Sequence, residues 1–261
     1  MNDRRARHDG QGRPAARGLL ALALAFSVAP PALLGCAGTG QPEVSYLAYA
    51  EAAPPGEIAA GGWTVALDEA AVAFGPVQFC AAASGSATLC STAIAELLSI
   101  AQVDLLAPEP QPLGRVRGFE GEIRSASFDY GIHWFLTESA PARSPAAPGG
   151  RSAHLRGRAT RGDDVLEFVA DVDAVPQFQG QRAVPSVAAA AIVGAEPVRL
   201  AVRFDVGAWL ARVDFDAVLE GAGGEGGTTE AVIAPGSRAH NALVIAMTAQ
   251  SPPEFVWSEA P

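Results

Sequence analysis

The chain contains no lysine, only two methionines and three cysteines among 261 residues, and no apolar run long enough to cross a bilayer as a helix. Each absence removes a class of protein. Gly221 and Gly226 have the spacing of a phosphate-binding loop, but Gly227 stands where the lysine that meets the phosphates is needed. All 18 basic side chains are arginines, against 28 acidic ones, giving a formal charge of -10. Nucleic acid and anionic lipid surfaces both require a basic footprint, so neither is expected as a partner. The G-x-S-x-G elbow of esterases and the H-E-x-x-H signature of zinc proteases are missing as well. The longest apolar stretch, residues 19–28, is too short for a hydrocarbon core of about 30 Å and is stopped by Pro30 and Pro31.

What is present begins with an address. Arg4, Arg5, Arg7, Arg13 and Arg17 precede the apolar stretch, and Leu33, Leu34, Gly35 and Cys36 follow it. This order resembles the lipobox leader of bacterial lipoproteins. The resemblance covers only the leader. It implies that residues 1–35 are a signal peptide, that Cys36 carries the lipid, and that residues 36–44 are a polar tether to a body at 45–261. Ala37 stands where an Asp would retain the protein at the inner membrane, so the resemblance implies an outer-membrane lipoprotein, facing the periplasm or the cell surface. Its membrane contact is then the N-terminal lipid. Loss of the leader removes five Arg and two Asp and takes the formal charge from -10 to -13.

With Cys36 assigned to lipid, Cys80 and Cys90 remain in a compartment that permits oxidation. A disulfide between them closes a loop of about ten residues and is worth about 2–4 kcal/mol. The alternatives are a metal pair or two buried thiols. A metal pair needs further Cys or His close by, and residues 77–100 supply none.

Twenty Pro and 28 Gly are spread among short apolar runs, a pattern of strands and turns rather than long helices. Strands are expected at 45–51, 63–67, 71–80, 103–106, 114–118, 120–124 and 127–136, with Asp68 and Glu69 turning between the second and third. In the last of these Phe128, Tyr130, Ile132, Trp134 and Leu136 alternate, the strongest strand signal in the chain. Residues 138–152 are rich in Pro, Gly and Ala and are expected as a long surface loop. A hairpin is expected from 154–160 and 165–172 around Arg161, Gly162, Asp163 and Asp164. A half-buried strand follows at 197–205, then one helical turn at 207–212, a segment at 213–219, and a closing strand at 255–257. Ser91 or Thr92 is expected to cap a short helix to about Ile100, and Ser237 a helix to about Thr248. The sum is a mainly β protein, an antiparallel two-sheet β-sandwich with two or three short helices, in a single domain.

No motif in the body specifies a chemistry, and no cofactor is required by the sequence. The candidate metal ligands are His133, His154 and His240, for copper or zinc, and the pairs Asp171 with Asp173 and Asp214 with Asp216, for a hard cation such as calcium. Strand geometry would place both members of each acidic pair on one side. The order Phe128, Asp129, Tyr130, Gly131, Ile132, then His154, Leu155, Arg156, Gly157, then Val202, Arg203, Phe204, Asp205 before Trp209 and Leu210 resembles that of the periplasmic copper-binding proteins associated with methanobactin. That resemblance spans about half of the body and implies a β-sandwich with a copper site built on His and Trp; it transfers no ligand residue by residue. The expectation is a lipid-anchored envelope protein acting as a non-enzymatic binding or structural module, with metal binding as the alternative. A hydrolase with residues dispersed along the chain is the third class.

Overall fold

A computed structural model describes residues 40–83, 93–194, 196, 198–224 and 227–259. Sixteen strands follow one another as β1 (Glu43–Ala52), β2 (Ile58–Ala60), β3 (Trp63–Phe74), β4 (Val77–Cys80), β5 (Ala93–Leu97), β6 (Ala101–Asp104), β7 (Gln111–Phe119), β8 (Gly121–Phe128), β9 (Ile132–His133), β10 (Ala142–Arg143), β11 (Ala153–Arg161), β12 (Asp164–Val172), β13 (Val184–Val193), β14 (Val198–Phe204), β15 (Gly227–Ile233) and β16 (Glu254–Glu259). Three short helices lie among the last of them: α1 (Val206–Leu210), α2 (Phe215–Ala222) and α3 (Arg238–Ile245). No helix among the described residues is long and apolar enough to cross a membrane.

The strands form two large sheets. One has the order β13-β8-β4-β5-β7-β1-β14-β16, the other β15-β12-β11-β3-β2 with β6 also on β3, and β9 with β10 make a small third sheet. Alternation in sequence decides which face is buried. Val44, Tyr46, Ala48 and Ala50 of β1 point inward while Glu43, Ser45 and Leu47 face water. Leu155 and Ala159 of β11, with Leu166, Phe168, Ala170 and Val172 of β12, supply the opposing face. Phe74 of one sheet meets Phe128 and Phe204 of the other at ring separations of 5.1 and 5.3 Å. The mainly β sandwich expected from sequence is therefore the fold.

Several local expectations need correction. The pairing is not wholly antiparallel: β1 with β14 and β12 with β15 run parallel. The two strands expected at 63–67 and 71–80 are one strand to Phe74, in which Asp68 is extruded as a bulge where Glu69 and Leu67 face the adjacent residues Arg156 and Gly157. The break falls instead at Gly75, whose φ of 107° only glycine adopts easily and whose missing Cβ would lie 2.4 Å from the Ser99 carbonyl oxygen. The helix expected up to Ile100 is strand β5, because Ala95 and Leu97 bury on one side while the backbone pairs with β4 and β7; Ser91 and Thr92 lie outside the described residues. The strand expected over 127–136 ends at Phe128. The segment 213–219 is a cap and helix, with Asp214 accepting from the Ala217 N–H at the start of α2. The Ala run of β13 carries no alternation, so its sequence gives no strand signal.

Candidate functional site

The region beyond β8 and β12 holds His133 and Asp173, with His240 reaching the Asp173 main chain. In chain 129–152, β10 falls inside the expected loop and pairs with β9, which lies within the stretch expected as a strand. Asp129 is wholly buried, with Arg182 at 2.8 Å and the Ala183 N–H at 2.7 Å both donating to its carboxylate. Burial pushes this carboxyl up, and Arg182 and the Ala183 N–H pull it only part of the way back. Asp173, just past β12, accepts from Arg143 at 2.9 and 3.0 Å and from Arg151 at 2.7 Å. Burial would raise its carboxyl, but the two guanidinium groups outweigh that and hold it below the ordinary value. These two clamps tie segment 129–152 to segment 173–184.

The histidines occupy separate settings. His133, on β9, lies 4.5 Å from the Phe135 ring, has Glu138 at 3.7 Å from Nε2, and leaves Nδ1 buried with no hydrogen-bond partner. His154, on β11, faces Asp171 across the hairpin at 2.7 Å, with Glu69 3.7 Å from its other nitrogen. His240, in α3, is 6% exposed; its Nε2 accepts a long bond of 3.5 Å from the Asp173 N–H, and its Nδ1 has no partner. Asp171 and Asp173 are thus spent separately, one on a histidine and the other on two arginines. Asp214 and Asp216 lie in the first turn of α2 rather than along a strand. Asp214 caps the helix and has Arg238 at 3.6 Å, while Asp216 accepts from Trp63 Nε1 at 3.3 Å and from Arg161. No group of three His, Cys, Asp or Glu among the described residues is arranged to hold a metal ion.

Cys36 and Cys90 lie outside the described residues. Cys80 closes β4 and is buried. The buried Asp129 was missed in sequence. Its signal was an acid inside the most apolar strand pattern of the chain, a position that folding tolerates only with a partner.

Above the clamps stands an apolar crest. Leu136 is 77% exposed and Phe178 56%, with Phe135 and Val175 also exposed. The crest is pinned from beneath. Gln179 donates to the carbonyls of Leu136 and Glu138 at 2.8 and 2.7 Å, the Gly180 N–H donates to Trp134 O at 2.7 Å, and Arg182 lies 5.4 Å from the Phe135 ring.

No family model matches the chain, and neither does any curated protein. Among solved structures it is similar to MbnP from Methylosinus trichosporium, with 12% identity over 85% of this chain and 100% of that one and a TM-score of 0.39. At that level of likeness neither ligand nor activity carries over.

Proposed function

We propose that the chain is a lipid-anchored, non-enzymatic binding module of the bacterial envelope, held at the outer membrane through Cys36 and meeting its partner with the crest of Phe135, Leu136, Val175 and Phe178. The crest is the observation that carries this reading. Four large apolar side chains are exposed on two segments joined to each other by main-chain and side-chain hydrogen bonds. Holding apolar surface in solvent adds nothing to stability, whereas a contact surface gains by it. Among the described residues the side-chain partners of the three histidines are carboxylates, a phenyl ring and a main-chain N–H. Placement outside the cytoplasm would also permit the Cys80–Cys90 disulfide expected from the sequence, Cys80 being buried at the end of β4.

Metabolic labelling with palmitate should mark the wild type and not Cys36→Ser. A photo-crosslinking residue in place of Leu136 should give a discrete adduct in intact cells, weakened by Phe178→Ser. An unlabelled wild type beside a labelled control lipoprotein removes the anchor, and the absence of any adduct removes the crest.

Metal handling is the second reading, favoured by the two buried and unpartnered Nδ1 atoms of His133 and His240. Titration with copper, zinc and calcium, read by elemental analysis, should then show at least one bound equivalent that His133→Ala or His240→Ala removes. No uptake of any of the three sinks it.

A further inference from the structure

Strand β15 ends its sheet. Its partner β12 lies on one side only, and among the described residues no other main-chain hydrogen bond reaches positions 227–233. Alternate peptide groups of a parallel edge strand point away from its neighbour, and natural proteins usually protect such a row with Pro, Lys, a bulge or a covering element. The sequence Gly, Thr, Thr, Glu, Ala, Val, Ile offers neither Pro nor Lys, and Val232 stands 72% exposed.

Beside this edge lies a cavity of about 330 Å³. Five consecutive residues of chain, 230–234, line it, so the wall on that side is main chain as well as side chain. The opposite wall is one face of α2, where Ala217, Gly221 and Ala222 are small enough to let another backbone approach closely, and Arg238 stands at the start of α3. The walls are fixed from behind. Trp63 and Arg161 hold Asp216 of α2, Phe215 packs against Phe168 at 5.3 Å, and Asp214 meets Arg238 at 3.6 Å. The far end of α2 is tied down too, since a Cβ on Gly224 would lie 2.6 Å from Leu219 and 2.5 Å from Thr229.

We infer that this groove takes an extended, net basic segment of a partner polypeptide, which adds to the sheet as a strand along the outer edge of β15 and lodges alternate small or β-branched side chains against α2. An unpaired strand beside a helix wall is the geometry of peptide capture by strand addition, in which main-chain bonds give affinity and the side-chain pockets give selectivity. The charge of the site selects the occupant. Glu230 lines the groove, Arg238 already faces Asp214, and the chain as a whole carries -10. A second copy would set that acidity against itself. The groove goes beyond the crest reading and uses none of its residues.

The test is selection of a random nonapeptide library on phage against the full chain, followed by hydrogen exchange on the complex. Enriched sequences should alternate small or β-branched residues with Arg or Lys, and the amides of residues 228–232 should gain protection of about tenfold or more on binding. Gly221→Trp fills the groove at a helical position that has open space for a side chain and where glycine is a poor helix former. It should weaken peptide binding about tenfold or more, with thermal stability equal to or above the wild type. Glu230→Arg should fold and should reverse the preference for basic peptides. Enrichment no greater than on Gly221→Trp, or protection gained away from β15, overturns the inference. A wild-type dimer in sedimentation that Gly221→Trp abolishes would assign the groove to a second copy and overturn it equally. The crest is read by crosslinking in cells and the groove by peptide binding to purified protein, so either can fail while the other stands.

Discussion

Arg182 meets Asp129 at 2.8 Å in a place where the carboxylate has no contact with water and the guanidinium has little. The pair is the hinge pin between the segment carrying Phe135 and Leu136 and the segment carrying Phe178. Removing one partner of a buried pair leaves a stranded charge, which costs about 3–5 kcal/mol, whereas replacing both with apolar groups of similar size is often close to neutral. Arg182→Ala should therefore lower urea stability by about that amount at neutral pH, and Asp129→Leu with Arg182→Met should recover most of it. The deficit should narrow on acidification. The Asp129 carboxyl is raised above 3.8 in the folded state, so its contribution is fullest below 3.8 and is lost as pH rises through the raised value. Without Arg182 the raise grows, and acid relieves it.

Gly180 and Gly131 set the shape of the crest. Gly180 has φ of 76°, and a Cβ there would lie 2.5 Å from Leu136; Gly131 has φ of 70°, and its Cβ would lie 2.4 Å from that of Ala73. Each therefore needs glycine for backbone conformation and for room. Gly131→Ala meets a buried neighbour that cannot yield and should cost about 2 kcal/mol or more by thermal denaturation. Gly180→Ala meets the end of an exposed side chain. It should cost about 1 kcal/mol, mostly from the backbone, and should displace Leu136, visible as loss of the crosslink proposed for that position.

Much of this fold was legible because burial follows period. The stretches 45–51, 154–160, 165–172 and 198–204 each lie in strands, with Leu200, Val202 and Phe204 buried on one face as their alternation implied, and the Arg161 to Asp164 turn joins β11 to β12 with Arg161 opposite Asp164. The misreadings share a cause, namely that local pattern does not report tertiary partners. Asp68 and Glu69 look like a turn, but the strand continues through them because β11 pairs on both sides of the bulge. The run ending at Leu97 has helix-forming Ala and Leu, yet it lies between two strands that need its backbone bonds. The acidic pairs looked like ligand sets because spacing was all the sequence showed. Their arginine, tryptophan and histidine partners lie between 17 and 153 positions away in the chain. Long-range ion pairs of this kind leave no local trace.

Ser237 is a cap that the sequence did show. Its hydroxyl accepts from the His240 N–H at 3.1 Å at the start of α3. Ser237→Ala should cost about 1 kcal/mol, while Ser237→Asp or Ser237→Asn should retain nearly full stability. Since α3 also places His240 beside Asp173, the Ala variant should speed exchange of the Asp173 amide, a readout by hydrogen exchange that a change confined to the helix end would not move.

Asp173 gives the fold an acid limit. Its carboxyl lies below 3.8 in the folded state, because the hydrogen bonds from Arg143 and Arg151 outweigh the cost of burial. The unfolded chain therefore takes up this proton first as pH falls. Stability from the clamp is fully present above about pH 4 and drains away as pH drops from the unfolded value through the lowered folded one. Asp173→Asn should cost about 1–2 kcal/mol at neutral pH, a range that allows for solvent screening of partly exposed partners. It should also flatten the acid limb, so that wild type and variant converge in urea midpoint below about pH 3. Convergence on the alkaline side instead would mean that the clamp draws its strength from some other ionisation. An unchanged acid limb would mean that Arg143 and Arg151 hold the segment through the Gly150 and Pro148 main chain, where Arg143 also bonds the Gly150 carbonyl and the Arg151 N–H donates to Pro148.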